Sequence, residues 1–183
     1  MNNLGEFVGL LAGKFDNSEQ MKTVEAEGVK GFPFSEHVNT ICNGKIDGLP
    51  QGFAGVFLVE ESYYTVEDKT RAVAHLFLFT QEGEDVLLTS YDLPEGCDGA
   101  RFTYENMPRT PYGALKPSAK FTPARYSRKD GAWEGGSVSM FSPALKFTLW
   151  ERFSPEVLEV SETMEVNGKK TMGYDRPILY KRK

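Results

Sequence analysis

The sequence is poor in the residues that usually carry catalysis or cross-linking. It holds two cysteines (Cys42, Cys97), two histidines (His37, His75) and two tryptophans in 183 residues. Two cysteines permit one disulfide at most and no disulfide framework. Neither cysteines nor histidines fall in the paired short spacings of a zinc site, so no metal centre is expected. Cys42 sits in an apolar stretch and reads as a small buried hydrophobe. Cys97, in the turn Leu93-Pro94-Glu95-Gly96-Cys97-Asp98-Gly99, reads as more exposed. There is no G-x-S-x-G, H-E-x-x-H, Walker or G-x-G-x-x-G motif. No apolar run approaches the ~20 residues that span a bilayer. The start, Met1-Asn2-Asn3-Leu4-Gly5-Glu6, lacks the basic and apolar regions of a secretory signal, so a cytoplasmic location is expected. No Lys/Arg cluster offers a nucleic-acid footprint. The formal charge of −5 is an ordinary acidic balance that names no partner.

What is present is aromatic and strand-like. Hydrophobic residues make up 40% and Phe, Tyr and Trp 13%, with Gly 18 and Pro 10 spread as punctuation. Residues 1–28 read as helical. Leu4, Phe7, Val8 and Leu11 recur on one helix face, and Gly13 stops it. A second short helix starts near Asp16 or Asn17, where Asn17 and Gln20 have capping-box spacing, and ends at Gly28 and Gly31.

From residue 37 to 181 the period is two. His37–Cys42, Phe53–Tyr64, Arg71–Thr80 and Val86–Tyr91 read as strands. Arg71–Thr80 is apolar on both faces and is expected to be covered on both sides. Residues 105–123 read as a long Pro-rich loop. The closing part reads as successive hairpins, turning at Asp130-Gly131 and Asn167-Gly168, where both residues tolerate φ > 0. Its last strand is expected over Lys170–Tyr180. This rhythm means a sandwich or barrel, and a barrel leaves no exposed edges. The expectation is a single all-β domain over 1–183 with one or two short N-terminal helices.

Three features bear on function. Charged groups stand on apolar strand faces: Glu162 among Leu158, Val160 and Met164, and Arg71 with His75 on the strand that carries Phe77 and Phe79. Two readings are open. Arg71 marks a strand end and Glu162 meets a structural partner such as Arg152, or both line a cavity and orient a polar ligand group. Aromatic residues, including Tyr91 and Trp150, are either ordinary core or the wall of a planar, lipophilic ligand site. Glu60 and Glu61 are adjacent on a strand, so only one faces inward and they are not a general acid/base couple.

The order of motifs also resembles the T-type phycobiliprotein chromophore lyase family (CpcT/CpeT-like). The resembling segments are Leu11-Ala12-Gly13-Lys14-Phe15-Asp16-Asn17-Ser18-Glu19-Gln20, then Phe32-Pro33-Phe34 with His37, then Leu49-Pro50. They continue through Gly55-Val56-Phe57-Leu58-Val59-Glu60-Glu61-Ser62-Tyr63 and close at Gly173-Tyr174 to Pro177-Ile178-Leu179-Tyr180. Arg71 matches one arginine of the family's Arg-x-Arg pattern, and Val73 stands at the other. The resemblance implies an antiparallel, calyx-like (lipocalin-like) β-barrel, often a homodimer. It implies a bound phycobilin, as substrate rather than cofactor, delivered to a cysteine of a phycobiliprotein subunit. It places Glu60 and Tyr63 with Arg71 among the ligand-binding residues. A non-catalytic carrier of a lipophilic or tetrapyrrole ligand, and a filled barrel acting as an interaction module, are the competing readings.

Overall fold

The computed structural model describes residues 3–183. Met1 and Asn2, the first two residues of the segment read as helical, lie outside the described residues. The chain opens with α1 (Asn3–Leu11), β1 (Gly13–Asp16), α2 (Ser18–Ala26), β2 (Phe34–Ile41) and β3 (Ile46–Asp47). It continues with β4 (Val56–Val66), β5 (Lys69–Glu82), β6 (Asp85–Tyr91), β7 (Thr110–Pro111), β8 (Ala124–Lys129) and β9 (Ala132–Met140). It ends with β10 (Leu145–Phe153), β11 (Leu158–Val166), β12 (Lys169–Met172) and β13 (Ile178–Arg182).

Ten of these strands, in the order β10-β9-β8-β6-β5-β4-β2-β1-β13-β11, join edge to edge, and β10 pairs with β11 to close the ring. All the pairings in the ring are antiparallel. The fold is a closed, calyx-like β-barrel with two short helices. Among the described residues no helix is long and apolar enough to cross a membrane.

Local chemistry explains the hairpins. Asp130 and Gly131 have φ 49 and 77, and Asn167 and Gly168 have φ 50 and 77, the left-handed pair of a type I′ turn. The β4–β5 turn uses Glu67 and Asp68 at φ 48 and 63. No glycine announces that turn. The ladder that holds it is unbroken from Val56↔Phe79 to Val66↔Lys69.

One end of the barrel is plugged by α1. Its apolar face, Leu4, Phe7, Val8 and Leu11, is buried. The Phe7 ring lies 5.0–5.6 Å from the rings of Phe79, Tyr126, Trp133 and Phe153. The Arg182 guanidinium, on the last strand, donates to the carbonyls of Gly9, Leu10 and Ala12 and so satisfies the helix C-terminus. The opposite end stays open.

A second apolar cluster lies outside the barrel wall. Leu76, Leu78, Phe57 and Val59 face outward and are covered by Cys42, Ile46, Phe102 and Met107. The long connection after β6 is therefore a packed flap, pinned where Lys45 donates to the carbonyls of Tyr104, Glu105 and Met107. The middle of β5, from Ala74 to Phe79, is covered on both faces, as its sequence required.

Four expectations are corrected. The stretch 1–28 is not wholly helical: Gly13–Asp16 forms β1, which pairs with β2 on one side and β13 on the other. β2 begins at Phe34 rather than 37. Asn17 precedes α2, but its side chain makes no cap and instead bonds the backbone of Pro33 and Ser35, while Gln20 bonds Pro177 and Leu179. The expected strand Lys170–Tyr180 is two strands. Gly173, at φ 110, ends the first, and a Cβ there would collide with the Glu162 carbonyl.

Phe7→Ala should remove the centre of the plug and cost about 3–5 kcal/mol of stability, read from urea denaturation. An equal loss is not expected at Trp150, which faces away from the barrel interior.

Candidate functional site

Above the plug lies a cavity of about 600 Å³ that opens at the far end. Alternation decides what it contains, since successive residues of a strand face opposite sides. β5 presents Arg71, Val73, His75, Phe77 and Phe79; β4 presents Leu58, Glu60, Tyr64 and Val66. β10 presents Phe147, Leu149, Glu151 and Phe153, and β11 presents Val160, Glu162 and Met164.

Of the seven residues singled out from the sequence, Glu60, Arg71, His75 and Glu162 line this space. Tyr63, Tyr91 and Trp150 do not. Tyr63 stands three residues from Glu60 on one strand, so it takes the outer face and its hydroxyl donates to Glu61 at 2.7 Å. Tyr91 packs on the outer cluster, its ring 5.2 Å from Phe57. Trp150 alternates with Leu149 and Glu151 and faces outward. Glu61 is buried on the outer side, where it also accepts from the Tyr104 backbone at 3.0 Å. The suggested Glu162–Arg152 pair is corrected too: Arg152 faces out and meets Glu159 at 3.4 Å.

Sequence reasoning missed Glu151, although its signal is the same as that of Glu162. It is a carboxylate in the period-two series Phe147, Leu149, Glu151, Phe153. The Tyr126 hydroxyl donates to it in a short bond. Gly135 allows this approach: it pairs with both Tyr126 and Glu151, and a Cβ there would strike the Arg125 carbonyl.

Three carboxyl groups thus share one largely apolar space. Burial and the charges of Glu151 and Glu162 push Glu60 up to about 8. Burial and Glu162 push Glu151 up to about 8, against the opposing Tyr126 bond. Burial raises Glu162 as well, with Arg71 opposing it. His37 lies with its Nδ1 3.7 Å from Glu60 and its ring 4.1 Å from that of Tyr180. Burial, with His75 nearby, lowers His37 to about 3, and burial lowers His75 to about 4. A neutral imidazole facing a protonated carboxyl makes His37–Glu60 a polar contact rather than an ion pair. The cations of the lining, Lys69, Arg71 and Arg176, are exposed, at the open end with the β4–β5 turn and the segment after β12. Arg176 is held by Glu27 at 2.7 Å.

Cys42 is buried in the outer cluster and Cys97 packs at its edge, so neither thiol reaches the cavity. Among the described residues no group of three or more His, Cys, Asp or Glu side chains is placed to hold a metal ion. No family model, curated protein or solved structure matches the chain.

These titrations give a defined pH dependence. Glu60 and Glu151 keep protons in the folded state up to about 8 that the unfolded chain releases near 4.5, so their stabilisation is full below pH 4.5 and lost as pH rises through about 8. His37 and His75 do the opposite between about 4 and 6.5 and offset the carboxyls there. From about pH 4.5 to 6.5 the two imidazoles therefore offset Glu60 and Glu151, and stability should fall only gently, through Glu162, whose pKa is also raised. It should then fall by about 1.4 kcal/mol per pH unit for each carboxyl up to about 8. Urea denaturation across this range checks it, and the Glu60→Gln, Glu151→Gln double variant should lose most of the fall, keeping only the part due to Glu162.

Proposed function

We propose that the protein carries one elongated, largely apolar molecule of the linear tetrapyrrole class. In this reading it presents that molecule to a thiol of an acceptor protein, as the lyases it resembles do. The observation that carries the reading is the order of charge along the cavity. Carboxyl groups sit at mid-depth, where pyrrole N–H groups would donate to them. Arg71, Lys69 and Arg176 sit at the mouth, where propionates would remain. The volume falls within the roughly 300–1,000 Å³ of small-molecule pockets, and apolar walls with a few polar groups are how such pockets are built.

The same space counts against the filled barrel, which would leave room for a few waters only. Since both cysteines lie outside the cavity, the acceptor would supply the thiol, and the carrier would contribute orientation and exclusion of wrong geometries. A carrier without transfer activity is the second reading. It is favoured by Val73, which leaves Arg71 without the neighbouring arginine of the family pattern.

Titration with biliverdin, followed by absorbance, should show one pigment per chain. Leu149→Trp, which fills the cavity from β10, should abolish the signal while leaving the far-UV spectrum intact. Unchanged binding by that variant would place the pigment elsewhere and end the proposal. Co-expression with a bilin pathway and a phycobiliprotein subunit separates the readings: a coloured subunit supports transfer, and a coloured carrier beside a colourless subunit supports carriage alone.

A further inference from the structure

We propose that the cavity takes its ligand as a cation, so that a basic ring nitrogen carries a proton while a glutamate of the wall is ionised beside it. The inference rests on the carrier reading and specifies the charge state that the site selects. Its basis is the polarity of the mid-depth wall. Glu60, Glu151 and Glu162 come from three strands and face one space. A fourth acceptor is independent of them. Asn39 is 4% exposed; its Nδ2 is spent on the Leu11 carbonyl at 3.1 Å, and its Oδ1 has no partner among the described residues. It lines the cavity in register with Glu60. The wall at this level therefore offers acceptors in excess and is matched by a ligand rich in N–H donors.

The other ionisable groups around the trio supply no positive charge to Glu60 or Glu151. From β2 and β5 come His37 and His75, both held neutral by burial. From β4, β8 and β13 come Tyr64, Tyr126 and Tyr180, all kept protonated by burial. From β5 and the mouth come Arg71, Lys69 and Arg176, with Glu67 and Tyr174 among them. Arg71 alone is felt at Glu162. A protonated ligand is the group that can neutralise an ionised carboxylate deep in the barrel, where an unpaired charge is costly.

The proton balance is simple. A neutral ligand base that meets a protonated glutamic acid receives its proton inside the cavity, and none is exchanged with solvent. A ligand that arrives already protonated releases one proton from the wall. Above the titration of the carboxyls, a neutral ligand must instead bring a proton in from solvent. Affinity therefore rises with pH up to the free ligand's own titration, and falls again once the wall ionises.

The test is a titration of the full chain with biliverdin from about pH 5.5 to about 9.5, reading the absorption spectrum of the bound pigment. The bound pigment is expected to show the red-shifted band of the protonated tetrapyrrole where free pigment is neutral, with tightest binding in mid-range. The Glu60→Gln, Glu162→Gln double variant should bind about ten- to a hundred-fold more weakly and show the neutral spectrum. Asn39→Asp adds a carboxylate beside Glu60 and should carry the protonated band to higher pH, a gain that misfolding cannot produce. Binding with a neutral spectrum and pH-independent affinity would overturn the inference and leave the carrier reading standing. Absence of pigment binding at every pH would remove both.

Discussion

The ladder between β10 and β11 closes the sheet, and its register decides what the barrel contains. Nine consecutive pairs run from Leu145↔Val166 to Phe153↔Leu158. Within that ladder Glu151 faces Val160 and Leu149 faces Glu162, so two carboxylates stand one step apart on the inner wall. A one-residue slip of either strand would exchange its two faces. Glu151 or Glu162 would then move to solvent, and the outward polar set, Arg152 with Glu159 among it, would turn inward. The type I′ turn at Asn167-Gly168 does not set this register, because it joins β11 to β12, outside the closing seam. What fixes it is the apolar set on the same face: Phe147, Leu149 and Phe153 against Leu158, Val160 and Met164. The acids are carried inward by their hydrophobic neighbours.

That arrangement costs stability. A carboxylate in an apolar interior is tolerated when it is paired or protonated, and here burial raises the proton affinity of all three acids, with the Glu162 charge adding at Glu60 and Glu151 and the Glu151 charge adding at Glu60. Tyr126 satisfies Glu151, and Ser62 donates to Glu60 at 3.3 Å. Glu162 has the Arg71 charge as its counterweight. Apolar side chains at these positions would fill the barrel and stabilise it, as large residues already do at the plugged end. Departures of this kind from local consistency concentrate at functional sites.

How much of this was legible in the sequence depends on the range of the interaction involved. Hairpins are local, and Asp130-Gly131 and Asn167-Gly168 announced theirs. α1 is local too, since four apolar positions on one face are enough. β1 is four residues long and becomes a strand by pairing with β2 and with β13, at the far end of the chain; nothing within Gly13–Asp16 encodes that. The break at Gly173 follows from its close approach to the Glu162 backbone, a neighbour eleven positions away. Within the site, the charged-residue-on-an-apolar-face rule found Glu162 and Arg71 and would have found Glu151. Parity would have excluded Tyr63 once Glu60 was placed inside. Tyr91 and Trp150 were misplaced for a different reason. An aromatic residue suits either side of a wall that is covered on both faces, so aromatic content alone carries no inside-or-outside signal.

The double covering also explains why an open space persists at all. A cavity of this size forfeits packing contacts, and a flexible wall would fold inward to recover them. Here the wall on the β4–β5–β6 side is clamped from outside. Leu76, Leu78, Phe57 and Val59 are buried beneath Phe102 and Met107, and Lys45 ties the flap down through three carbonyls. Moving β5 into the cavity would strip that outer core. The opposite wall is held by closure, because β10 and β11 are each bonded on both sides. The bottom cannot rise, since Phe7 is locked among four aromatic rings. The interior therefore keeps its shape in the empty protein, and a ligand entering from the mouth meets acceptors already in place rather than groups it must organise.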